Sequence, residues 1–105
     1  SARDVATLTP ARDVKPDLLR AREFLERFNC VAHGMEGALS QKGTFWVVSA
    51  DGEGGVHRVR VGNYLGKNHG KIVSATETSV EVIEIVPSGV GGWLERPRTI
   101  KLTEQ

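Results

Sequence analysis

Cysteine, aromatic rings, long apolar runs and an excess of charge of either sign are all scarce in this chain. Cys30 is the single cysteine in 105 residues, so no internal disulfide can form and the redox compartment is not written in the sequence. No stretch approaches the roughly 18 apolar residues that a membrane-spanning helix needs. No basic, apolar and small-residue blocks open the chain as they open a secretory signal, so it reads as a mature or truncated piece of a longer protein. The formal net charge of +1 is too small to draw the chain onto nucleic acid or an anionic membrane, partners that call for a large basic excess.

Motifs for chemistry are also missing. His33, His57 and His69 stand far apart and none has a second His or Cys at ligand spacing, so no metal site is expected. Cys30 sits beside Val31 in an apolar run and reads as a small packing residue, not a nucleophile. Ser88 in "VPSGVGG" lies in a turn without the G-x-S-x-G elbow. The loop "GNYLGKNHGK" comes near a phosphate cradle, but its spacing is one residue short. Asn68 also stands where a magnesium-binding hydroxyl is required, and no helix follows. Its glycines are read as turn formers, with Tyr64 and Leu65 dipping into the core. No catalytic residue and no cofactor are expected.

What is present is alternation. All twelve glycines fall after Phe28, whereas the first 28 residues carry six basic and five acidic side chains and two of the four prolines. Composition therefore divides the chain into an arm over 1–28 and a domain over 29–105. Ser1 to Lys15 has too few large apolar groups to offset an ordering cost of roughly 1–2 kcal/mol per residue and is expected to be a flexible linker. Leu18, Ala21, Leu25 and Phe28 recur at helical spacing, which predicts a short helix over 17–27. Leu18, Leu25 and Phe28 are its candidate partner contacts.

The rest reads as strands. Cys30 to Leu39 is interrupted by Gly34 and Gly37, where a bulge is expected. Thr44 to Ala50 follows the turn "SQKG", and "DGEGG" links it in a hairpin to Val56–Val61. Ile72–Thr76 and Val80–Val86 make a second hairpin around "TETS", ended by Pro87. Trp93 and Leu94 begin a short return, and Thr99–Thr103 closes the module. In "VEVIEIV", Val80 and Val82 share one face while Ile83 and Ile85 share the other, as a strand covered on both sides requires. The fold class is all-β, a small β-sandwich of about seven short strands.

Single-stranded nucleic acid is the alternative partner, because Arg58, Arg60, Lys67, Lys71, Phe45, Trp46, Tyr64 and Trp93 could line a small barrel. Eight basic residues meet eight acidic ones from Asn29 to Gln105, and that balance argues against it. Trp46 and Trp93 are read as partly buried core pieces.

The order of "GALSQKGTFWVV", "VHRVRVGNYLGKNHGKIV", "VEVIEIVPSGVGGWLERP" and "KL" over residues 37–104 resembles the PilP family of type IV pilus assembly lipoproteins. The resemblance implies a small β-sandwich related to the periplasmic homology region of type II secretion proteins, without enzymatic activity. It implies a periplasmic location, with a lipid outside this sequence as the anchor to the inner membrane. It further implies that the N-terminal segment binds PilN and PilO and that the β-domain contacts the secretin PilQ. Partner contacts are expected along the segment Gly34, Met35, Glu36, Gly37, Ala38 and Leu39, and at Asn63, Lys67, Asn68 and His69 of the glycine-rich loop, while the sequence does not say which sheet edge is open.

Overall fold

A computed structural model describes residues 14–29 and 34–101. Two antiparallel sheets carry the fold. The first contains β1 (Gly34–Gln41), β2 (Thr44–Ala50) and β3 (Val56–Val59), in that order. The second orders β4 (Tyr64–Leu65), β5 (Gly70–Ala75), β6 (Ser79–Pro87) and β7 (Trp93–Lys101). Seven strands in two sheets match the expected class.

Turn chemistry sets the strand ends. Lys42 and Gly43 both adopt positive φ, 52° and 80°, between the paired Gln41 and Thr44. Two successive left-handed residues match the right-handed twist of a hairpin, and the glycine takes that conformation without cost. The "TETS" hairpin is closed by Thr76, whose Oγ1 accepts from the backbone N–H of Thr78 and Ser79 at 3.2 and 3.1 Å. β3 stops at Val59, two residues before its expected end. The Asn63 side chain accepts from Arg60 N at 2.9 Å, and Asn63 N donates to Arg60 O at 3.0 Å, so the chain turns there instead of extending.

The expected bulge in β1 is present as a register shift between Met35 and Gly37. Cys30–His33, the start of that expected strand, lie outside the described residues. The return strand departs from expectation: one nine-residue strand, β7, runs through Pro97 instead of two short pieces. β7 is the outermost strand of its sheet, the place where a sheet tolerates proline, and Pro97 sits opposite Ile83 without breaking the register.

Leu25, Met35, Val47, Val59, Leu65, Ile72, Val80 and Val82 form the core. Fully burying such side chains stabilises the fold by about 1.5–3 kcal/mol each. Leu65 goes into the core as expected. Gly70 is fixed by packing, because a Cβ there would stand 2.7 Å from Leu65 O and 2.8 Å from Val82. β6 has two faces, as its pattern implied. Val80 and Val82 point inward together with Glu84, while Ile83 and Ile85 are half-buried on the other side.

The helix expected over 17–27 is a single 3-10 turn, Phe24–Arg27. Glu26 explains the shortening. Its carboxylate accepts from Glu23 N at 2.8 Å and takes a two-pronged bond from Arg20 at 2.8 and 2.8 Å, which fixes the helical start at Glu23. Burial works to raise the Glu26 carboxyl, but Arg20 and the backbone bond outweigh it and hold the group below the usual carboxylate range. This turn is built into the domain. Glu23 Oε1 accepts from Tyr64 N at 3.0 Å, and Leu25 O accepts from Gly66 N at 3.0 Å. Leu25, expected to contact a partner from the arm, is instead a core residue with 3% of its surface exposed.

Candidate interaction surfaces

Three surfaces carry the residues singled out from the sequence. The first belongs to β1 and the outer face of its sheet. Met35 is fully buried and packs the core, which corrects its expectation as a contact residue. Glu36 and Leu39 are exposed, while Gly34, Gly37 and Ala38 are half-buried on the strand that ends the sheet. Register places Leu39 beside Trp46 and Gly37 beside Val48, with Arg58 on the far side of Val48. Arg58 and Arg60 lie over the indole of Trp46, their guanidinium carbons 4.5 and 5.5 Å from its ring. Trp46 therefore faces outward under two cations and is not the core piece expected of it. The signal was available, since Trp46 is out of phase with buried Val47 and Ser49 along β2.

The second surface is the glycine-rich loop and the outer face of the four-stranded sheet. The loop is pinned and not free. Ile72 N donates to Asn63 O at 2.9 Å, and Ile85 N donates to Asn68 O at 2.9 Å. Lys67 is exposed, whereas Asn63, Asn68 and His69 are half-buried. His69 adopts φ 57°, a left-handed conformation uncommon for a side chain of this size. Its ring lines a cavity of about 170 Å³ with Tyr64, Lys71, Val73, Ile83 and Ile85. Burial, with Arg22 adding to it, pushes the His69 imidazole below its ordinary pKa and favours the neutral ring.

The third surface is the entry segment. Leu18 and Leu19 are 76% and 98% exposed, an apolar pair with no cover among the described residues. Phe24 is partly exposed and packs on His57 and Phe28, with ring centroids 4.7 and 5.6 Å apart. Phe28 is half-buried against the core. Arg20 lies 3.4 Å over the Tyr64 ring, joining this segment to the loop.

Besides Glu26, two further buried carboxylates brace the fold around these surfaces. Glu84, fully buried, accepts from Arg96 at 2.8 and 3.0 Å and lies 3.6 Å from Arg98, with Asn68 Nδ2 donating at 3.5 Å. Asp51 accepts from His57 at 2.9 Å and from the N–H groups of Glu53 and Gly55 at 2.8 and 2.9 Å. These contacts, His57 foremost, keep its carboxyl below the usual range. Sequence reading did not find either cluster, because each depends on residues far apart or on a loop conformation. Among the described residues no group of three or more His, Cys, Asp or Glu gathers, and His33 lies outside them.

Comparison with known proteins places this geometry in context. The model of the family described as "Pilus assembly protein, PilP" matches residues 1–102. A curated relative, the type IV pilus inner membrane component PilP of Pseudomonas aeruginosa, is 55% identical over 93 residues, covering 88% of this chain and 52% of its own length. The chain thus spans about half of that relative. The solved structure of a domain from the type IV pilus biogenesis lipoprotein PilP of P. aeruginosa superposes with a TM-score of 0.77 at 52% identity, covering 84% of this chain and all of that domain. A domain of the Neisseria meningitidis PilP pilot protein gives a TM-score of 0.64 at 32% identity, covering 91% and 89%. None of these relatives supports the nucleic-acid alternative. A family match over nearly the whole sequence, joined to two antiparallel sheets with the same shape, shows that this chain belongs to the PilP family of pilus assembly proteins.

Proposed function

We propose that this domain is a non-enzymatic periplasmic scaffold of the type IV pilus machine, tied to the inner membrane by a lipid on the full-length protein. In this reading the N-terminal segment engages PilN and PilO, and the β-domain contacts the secretin PilQ. The observation that carries it is the family match over residues 1–102. The surface supplies what such a role needs. Among the described residues nothing covers the apolar Leu18 and Leu19 next to the domain, and β1 is an end strand of its sheet.

The test is a shift-mapping titration of the chain with the periplasmic modules of the secretin. Binding is expected to move amides at Gly34, Glu36, Gly37, Ala38 and Leu39 or at Asn63, Lys67, Asn68 and His69. No binding at millimolar concentrations would sink the reading. A double variant, Leu18→Ala with Leu19→Ala, is expected to weaken binding to the PilN/PilO pair while leaving the secretin titration unchanged.

A further inference from the structure

The arginines of the two sheets differ in what holds them, and outside the sheets Arg20 pairs with a carboxylate while Arg27 lies 5.1 Å over the Phe24 ring. Arg20, Arg96 and Arg98 each lie within 4 Å of a buried carboxylate, on Glu26 or Glu84. Arg58 and Arg60 have no such partner among the described residues and rest on Trp46 instead. An indole occupies the face of a guanidinium but leaves its in-plane N–H donors unused. Two cations held on one ring are therefore ordered before a ligand arrives, so that less rotamer entropy is lost on binding.

The surroundings of the pair define what fits. Strand register lays two rows across the sheet, Leu39 to Trp46 and then Gly37 to Val48 to Arg58, with Arg60 beyond Trp46. Leu39 is 37% exposed, and a Cβ at Gly37 would meet nothing within 4 Å, so the ground beside the cations is apolar and open. From this we infer that the outer face of the three-stranded sheet is the docking site for a carboxylate-bearing, extended segment of a partner protein. Its carboxylates pair with Arg58 and Arg60, and its intervening apolar side chains lie on Leu39 and Val48. Charge complementarity selects the occupant: guanidiniums match carboxylates in two-pronged geometry, and Trp with Arg are the residues that dominate protein interfaces. Two cations flanked by aliphatic side chains do not make the continuous basic track that a nucleic-acid strand follows.

The inference rests on the reading that the domain works by binding protein, and the experiment separates the two. The whole chain is titrated with a short peptide alternating glutamate and valine, with the same peptide carrying lysine for glutamate, and with oligothymidylate. The glutamate peptide is expected to move the Trp46 indole N–H and the amides of Leu39 and Val48, and to lose affinity as salt rises. The double variant Arg58→Glu with Arg60→Glu is expected to weaken that binding at least about tenfold. If that variant does not fold, Arg58→Gln with Arg60→Gln serves in its place. Equal binding of both peptides, shifts away from this face, or a stronger response to oligothymidylate overturns the inference. The secretin modules provide the second arm. A loss of at least about tenfold on charge reversal supports the face as their site, and equal binding to both forms overturns it. If the modules do not bind the unaltered chain, the scaffold reading fails, and the peptide titration still decides the face.

Discussion

The two sheets handle charge in opposite ways. The four-stranded sheet takes a carboxylate into its core at Glu84 and closes it with Arg96 and Arg98. The three-stranded sheet keeps the strand positions facing its core free of charged carboxylates and guanidiniums, and displays Arg58 and Arg60 outside on Trp46. A buried ion pair stabilises little beyond an apolar packing of equal volume, but breaking it is costly because the remaining charge stays where water is scarce. An exposed cation on a ring has no such hold on the fold. Arginine thus does structural work on one sheet and is left available on the other.

Substitutions can break or sharpen that contrast. The largest loss is expected at the junction of the entry segment with the domain. Leu25→Ala removes a core side chain and should cost about 3 kcal/mol in urea unfolding; a loss near zero would mean that the segment is a detachable arm. Glu84→Ala comes next, at about 2 kcal/mol. The figure is lowered from that of a fully buried pair because the Arg96 and Arg98 side chains are 39% and 34% exposed and can rehydrate. An unchanged midpoint would show that the pair is idle.

Acid provides a third test. The folded pKa values of Asp51 and Glu26 lie below their unfolded values, so the folded state gives up their protons more readily. Their stabilisation is fully present above the ordinary carboxylate pKa of about 4 and is lost as pH falls through the depressed folded values. Thermal midpoints of the unaltered chain should therefore drop below about pH 4, and Asp51→Asn should drop less steeply. Identical slopes would remove Asp51 from the account. The smallest effect is expected for Arg58→Ala with Arg60→Ala, at most about 1 kcal/mol for the pair of cation–π contacts. A loss matching that of Glu84→Ala would abolish the distinction between the sheets.

Much of the fold could be read from residue order. Alternation in "VHRV" and "VEVIEIV" places the strands because period 2 is a local property, and "SQKG" and "TETS" place turns, the first to within one residue, because backbone conformation there is set by one or two residues. The misses share a cause. Leu18, Ala21, Leu25 and Phe28 have helical spacing, yet Glu26 bonds to Arg20 and the Glu23 backbone, and tertiary contacts outweigh a short helix. The return was read as two short pieces, Trp93–Leu94 and Thr99–Thr103, yet an edge strand tolerates Pro97 between them. Glu84 looked like one more charge in an alternating run, and only Arg96, twelve residues later, marks it as buried. Of the surfaces, the open edge at β1 was not legible, because strand order depends on pairing between distant segments, whereas the outward face of Trp46 could have been read from its phase against Val47 and Ser49.

Pro97 also gives the sandwich a polarity. β7 is the long rim of its sheet and carries Pro97, which has no N–H to donate, at its middle residue. β1, at the rim of the other sheet, is regular from Gly37 to Gln41. A strand added along β1 would find an unbroken run of backbone groups there, whereas one added along β7 would run past a proline at its midpoint.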